Sequence, residues 1–309
     1  ATAILEQLFN ASDLAVVGNF TGDKSTIAVA AVGANSPVIG LILNLFIGVA
    51  LGANVIIANA IGSGDEKTVH KAVHTSIIAA LLGGAVIALL GELSAEWIMN
   101  ALNLPAEVYP YAMQYLRIYL LGMPVIFLYN FEAAIFRSVG DTRSPLIALF
   151  FSGLLNVALN LFFVIVLKMT VSGVATATVI SNLFSSAILL RKLIRSDKII
   201  KVDPKKLRIH RSVFLRIMRI GMPAGLQGAV FSFANIVVQS AINSLGTDVI
   251  AASSAAFNLE ILAYYIINSF AQACTTFVGQ NYGAKKMRRC RRGLPLLWAM
   301  RRLMASGRP

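Results

Sequence analysis

Charge is scarce in this 309-residue sequence: Asp, Glu, Lys and Arg make up 13% of it, against roughly 25% in an ordinary soluble domain. With 57% hydrophobic residues and a mean hydropathy of +0.73, the composition excludes a soluble globular domain and points to a polytopic membrane protein. Cysteine is almost missing. Cys274 sits in an apolar run and Cys290 in a basic loop, too few to staple a scaffold and without the neighbours of a nucleophile. Histidine occurs three times. His70 and His74 in HKAVH have ligand-like spacing, but only His210 remains and no acid completes a set, so no metal is expected. No G-x-x-x-x-G-K-[ST] loop occurs, which argues against ATP hydrolysis. GSG at 62–64 reads as a turn at a helix end. Without a catalytic cluster, an integral-membrane enzyme is disfavoured and no cofactor is expected. An initiator Met is lacking too: Ala1 already lies inside an apolar run, so the expectation is a chain truncated at its start.

The charge that is present is lopsided, with 27 Lys and Arg against 14 Asp and Glu. Eleven of the basic residues fall between Arg191 and Arg219 and nine between Lys285 and Arg308. Clustering in short polar segments is the positive-inside signal rather than a nucleic-acid footprint, which would need an accompanying aromatic-basic surface or motif; no nucleic-acid partner is expected.

A membrane span needs about 20 apolar residues, and eight stretches satisfy this: 1–20, 35–61, 72–91, 108–136, 145–167, 171–194, 213–244 and 249–279. Counting Lys and Arg in the connectors places 62–71, 136–145, 191–212 and 283–309 in the cytoplasm, in a multi-pass plasma-membrane protein. Pro37, Pro124 and Pro223 lie in or at the start of spans, where a missing N–H permits a bend.

The long polar interruption near KVDPKKLRIHR (201–211) divides the chain. A shift of 221 residues aligns Val16 and Val17 with Val237 and Val238, Thr26 with Thr247, Leu41 with Leu262 and Gly62 with Gly283. It superposes two spans, their loop and a glycine exit without a gap. The expected organisation is a six-helix bundle at 1–195, a basic linker at 196–212, the first two helices of a second bundle at 213–282, and a basic tail at 283–309. Four spans of a complete repeat are then absent. A fragment or a frameshift near Met287 accounts for that; a short protein is the alternative. Internal repeats in a membrane protein favour a transporter with its site between the halves.

Ionisable groups inside a bilayer cost at least about 2.5 kcal/mol at a helix centre, so each is a functional candidate. Positions i, i+4 and i+7 share a helix face, which puts Glu6, Asn10 and Asp13 on one stripe of the first span. A carboxylate there can load and release a proton, or bind a hard cation such as Na⁺ with amide and hydroxyl oxygens; the alternative is a structural hydrogen bond. Asn156 and Asn160 are an i, i+4 pair on the fifth span, and Thr176, Thr178 and Asn182 follow on the sixth. Such neutral residues also glue membrane helices. Glu132, five residues before Arg137, reads as solvated or paired at the interface. Glu260 is the one acid inside a span of the second half and is a candidate for attracting a cationic substrate. Under the 221-residue shift Asp13 meets Ala234 and Glu6 meets Gln227, so the halves share a scaffold but not the carboxylates.

LEQLFNASDLAVVGNF (5–20), GVALGAN (48–54), ANAIGSGD (58–65), FRSVGDTRSP (136–145), LLNVALN (154–160), VSGVATAT (171–178), GMPAGLQ (221–227) and VGQNYGAKK (278–286) together resemble the multidrug and toxic compound extrusion (MATE) family over about 1–292. The resemblance implies an all-α membrane fold of two six-helix bundles, of which about eight helices are present here. It implies export of amphipathic, often cationic compounds by alternating access in exchange for H⁺ or Na⁺, by a monomer in a lipid bilayer. The family's first-helix acid corresponds to Asp13, and its polar surround to Asn156, Asn160 and Thr178; Glu6, Asn10, Gln227 and Glu260 are cavity candidates. Asn160 stands where some members carry an acid, and LQGAVFSFAN (226–235) lacks the seventh-helix Glu of another subgroup. Coupling is therefore expected in the first bundle alone. The alternatives are a flippase for lipid-linked precursors, which needs basic cavity residues such as Arg117, and a channel.

Overall fold

The computed structural model describes residues 2–102, 104–243 and 247–292. It is all helical among these residues: α1 (Thr2–Phe20), α2 (Ser25–Ser63), α3 (Glu66–Ala101), α4 (Tyr109–Leu121), α5 (Met123–Ser138), α6 (Arg143–Leu161), α7 (Val171–Ile194), α8 (Arg211–Asn243) and α9 (Thr247–Gly283). At 1.5 Å per residue α2 is about 58 Å long and outreaches a hydrocarbon core of about 30 Å. Each expected span is helical over its described residues. The fourth is built from two helices, α4 and α5, bent by 50°. Gly122 sits at the break and Pro124 follows at the start of α5, where its missing N–H removes a bond that would have continued α4.

Among the described residues four helices are long and apolar enough to cross a bilayer on composition alone, and the bent pair makes a fifth. α1 is diluted by polar residues, including Glu6 and Asp13.

The core lies where α3, α4, α5 and α7 meet, around the fully buried Phe127, Phe131, Phe136, Met123, Leu116 and Leu120. A second close contact joins α2 to α8. Gly48 and Gly52 on α2 face Gly225 and Gly221 on α8; a Cβ at Gly48 would overlap the Gly225 amide, and one at Gly52 would lie 2.8 Å from the Gly221 nitrogen. These are two small-xxx-small stripes, which let membrane helices approach to backbone contact. α9 closes on the opposite part of α2, where Asn54 Oδ1 accepts from Thr276 Oγ1 at 3.2 Å, and Gln280 Nε2 donates to the Ser138 carbonyl of α5 at 2.7 Å.

Polar side chains also organise the basic end of the molecule. Gly64 (φ 73°) ends α2 in the left-handed region, and Asp65 caps α3 by accepting from the Thr68 N–H at 3.0 Å. His74 accepts the Asp203 N–H on Nε2 at 3.1 Å while its Nδ1 lies 2.7 Å from the His70 carbonyl. Glu132 is a correction. It is 0% exposed and accepts from Ser186 Oγ of α7 at 3.0 Å, because its face of α5 turns into the bundle.

Candidate functional site

α1, α6 and α7 bring one cluster together. Asp13 is 6% exposed. Asn160 Nδ2 donates to its Oδ1 at 2.5 Å, and Thr178 Oγ1 lies 3.3 Å from its Oδ2. Asn160 Nδ2 also reaches Asn156 Oδ1 at 3.2 Å, and Asn156 Nδ2 donates to Thr178 Oγ1 at 3.4 Å. Thr178 has one hydroxyl proton and two acceptors, Asp13 and the Val174 carbonyl at 3.0 Å, so it switches between them at little cost. Asn160 Oδ1 is buried with no partner, an acceptor left over beside a carboxylate.

The approach of α1 to α6 rests on Gly153, where a Cβ would overlap the Phe9 ring. Beside Asp13 lies a cavity of about 150 Å³, lined by Asn156 and Thr178 of the cluster and by further polar residues including Glu6, Asn10, Tyr119, Tyr129, Asn130 and Ser152. Among the described residues no Lys or Arg lines it. Its volume is well below the roughly 300–1,000 Å³ of drug-sized pockets, so it suits an ion and waters, or one end of a larger molecule.

All four residues expected around the coupling ion thus share one hydrogen-bonded group, and Glu6 and Asn10 face the cavity next to it. Gln227 is exposed on α8 and outside this cavity. Glu260 falls within α9, but its side chain lies outside the described residues, as does the tail from 293. Arg117 bridges Glu92 and Glu96 at 3.5 Å each and takes no part in the cavity. Reading the sequence missed Tyr119, Tyr129, Asn130, Ser152 and Ser181 in the lining. Ser152 was detectable, since 152, 156 and 160 continue one i, i+4 row. The tyrosines carried no signal within an apolar run.

The family profile described as MatE matches residues 1–162 and 223–301, well over half of the sequence. The chain belongs to the MatE family. Among its relatives is the "Probable multidrug resistance protein YoeA" of Bacillus subtilis (strain 168), 27% identical over 293 residues, covering 93% of this chain and 63% of that protein. The "Probable multidrug resistance protein NorM" of Thermotoga maritima is 28% identical over 288 residues, covering 91% and 60%. A solved structure described as an outward-facing conformation of a multidrug resistance MATE family transporter of the MOP superfamily superposes with a TM-score of 0.89 at 24% identity, covering 98% of this chain and 67% of that one. The MatE fold is therefore that of this multi-pass membrane protein, and the chain spans about three-fifths of the length of the curated relatives it matches.

Proposed function

We propose that this MatE chain carries the ion-coupling bundle of a secondary active transporter that exports amphipathic, cationic compounds in antiport with H⁺ or Na⁺. One observation carries the reading: Asp13 is buried against Asn160, Asn156 and Thr178 beside a cavity, with an unpartnered Asn160 oxygen at hand. In this arrangement Asn160 donates N–H to an ionised Asp13. Rotation of the amide would present Oδ1 instead, which accepts from a protonated Asp13 or ligates a hard cation. The cluster can thus distinguish the empty from the loaded carboxylate, and a transported ion drives a conformational change only through such a difference in affinity.

The positive-inside distribution supports an orientation with the basic end in the cytoplasm. The division into a first bundle at 1–195, a linker at 196–212 and the opening pair of a second bundle at 213–282 is part of the same proposal. Loading of Asp13 from outside would rearrange the first bundle, substrate would leave outward, and the ion would be released inward. Glu6 and the tyrosines, with no Lys or Arg in the lining among the described residues, favour a cationic substrate over the phosphate-bearing lipid of a flippase. The likeness to proteins named for multidrug resistance supports drug export.

The test is export of a fluorescent cationic dye from cells expressing the gene, comparing wild type with Asp13→Asn while external pH and Na⁺ are varied. Coupled export that is lost in the variant is expected. Undiminished export by Asp13→Asn would remove Asp13 from the mechanism.

A further inference from the structure

The first bundle buries a second carboxylate that the Asp13 cluster does not use. Glu132 Oε2 accepts from Ser186 Oγ at 3.0 Å, and Oε1 is buried without a partner. The ionisable groups of the surrounding helices are engaged elsewhere or stand at helix ends. Arg137 is five residues further along α5, and α2 has no ionisable residue in its sequence. On α3, His74 is held between the His70 carbonyl and the Asp203 N–H. Arg143 opens α6. Lys192 of α7 donates to Ser144 Oγ at 2.5 Å and lies 5.9 Å from the Phe136 ring centroid, and Arg191 precedes it at the end of the helix. α9 meets α5 through Gln280, which donates to the Ser138 carbonyl. Among the described residues no cation forms an ion pair with Glu132. Burying a carboxylate this completely without a counter-charge is costly, and the one partner it has among the described residues is a hydroxyl.

Its position gives that acid a use. Tyr129 and Asn130, which line the Asp13 cavity, precede Glu132 by three and two residues; Asn182, also in the lining, precedes Ser186 by four. Glu132 and Ser186 therefore lie about one turn, roughly 5 Å, beyond the cavity toward the basic end. From there α5 runs on to Ser138, about 9 Å further. Glu132 and Ser186 both sit on helices of the proposed first bundle, α5 and α7.

We propose that Glu132 and Ser186 form a second proton-binding site, an exit station between the Asp13 cavity and the basic end. Glu132 gives its proton to solvent at that end and takes another from the cavity side, where Asp13 is the donor. Only O–H bonds break and form, and the net result is one proton moved inward per cycle. Ser186 Oγ, the single hydrogen-bonding partner of the carboxyl among the described residues, stabilises the ionised form during the exchange. This deepens the proposed antiport and rests on its proton-coupled form.

The experiment is infrared difference spectroscopy of the purified chain in detergent, between acid and alkaline buffer in H₂O and D₂O, for wild type, Glu132→Gln, Ser186→Ala and Asp13→Asn. A protonated-carboxyl band is expected that titrates, shifts in D₂O, disappears in Glu132→Gln, moves in Ser186→Ala and persists in Asp13→Asn. The pH profile of dye export in Glu132→Gln is expected to narrow, since Gln keeps the Ser186 hydrogen bond but carries no exchangeable acid. A Glu132 band that stays protonated at every pH would overturn the proposal, as would a Glu132→Gln variant with a wild-type spectrum and export profile. If Glu132→Gln does not fold, the titration of the wild-type band and its displacement by Ser186→Ala decide the matter. Failure of the Asp13 reading looks different: Asp13→Asn would then export as wild type, whatever the Glu132 band does.

Discussion

Adding one methyl group to Gly62 or Gly283 should loosen α2 from α9 by the same amount at both positions. A Cβ at Gly62 would overlap the carbonyl oxygen of Gln280, and one at Gly283 would overlap the carbonyl oxygen of Asn59. The 221-residue shift converts Gly62 into Gly283 and Asn59 into Gln280, so the two contacts are images of each other. Ala58 and Gly279, which the shift also exchanges, meet at the centre with a Cβ at Gly279 placed 3.1 Å from that of Ala58. Both overlaps are with backbone, which cannot rotate away, so the helices must separate. Overpacking of this kind typically costs about 1–3 kcal/mol. One separation relieves both overlaps, and the double variant should therefore lose clearly less than the sum of the singles, as neighbouring sites do. As a control, Gly33→Ala and Gly40→Ala in α2 meet nothing within 4 Å and should be stabilised by about 0.5–1 kcal/mol, the usual gain in a helix interior. The assay is equilibrium unfolding in mixed detergent followed by circular dichroism. Strictly additive losses, or single variants as stable as the Gly33 control, would refute the close crossing and its two-fold character.

Two further perturbations follow from polar contacts. Asn160→Ala removes a hydrogen bond that stabilises the ionised, unloaded Asp13, worth about 1.5–3 kcal/mol, so in the proton-coupled form the H⁺ concentration for half-maximal dye export should fall roughly 10- to 150-fold; an unchanged half-saturation would show that Asn160 does not sense the ion. Asp65 lies outside the spans, and its hydrogen bonds with the Thr68 hydroxyl and N–H hold its carboxyl below the ordinary value. Its folded value being depressed, the cap stabilises α3 above the ordinary Asp range near pH 4 and is lost as pH falls through the folded value. Hydrogen exchange in the first turn of α3 should therefore be faster in Asp65→Ala than in wild type at neutral pH and converge with it in acid. A difference that persists unchanged in acid would contradict this.

Helical spacing made the Asp13 cluster legible. The i, i+4, i+7 stripe on α1 and the Asn156/Asn160 pair are local patterns, and local patterns survive folding. Glu132 was misread because nearness to Arg137 along the chain was taken as nearness in space. Five residues turn a helix through about 140° from the starting face, so the acid enters the bundle while the arginine points elsewhere. The break at Gly122 was hidden by an unbroken apolar run, although Pro124 was visible within it. GVALG and GMPAG were recognisable as family segments, yet their facing glycines belong to helices far apart in sequence, and spacing within one helix does not name its partner. Gln227 shows the limit of the repeat: the shift pairs it with Glu6, but the structure puts Glu6 at the cavity and Gln227 on an exposed face of α8.

Antiport through Asp13 is tested most directly in proteoliposomes, by imposing a H⁺ or Na⁺ gradient of either sign and following the movement of a cationic dye. Dye flux in the wild-type protein should reverse direction when one of the two gradients is reversed, and Asp13→Asn should show no gradient-dependent flux. Dye movement indifferent to both gradients, or equally coupled in Asp13→Asn, would contradict ion-driven exchange at this site.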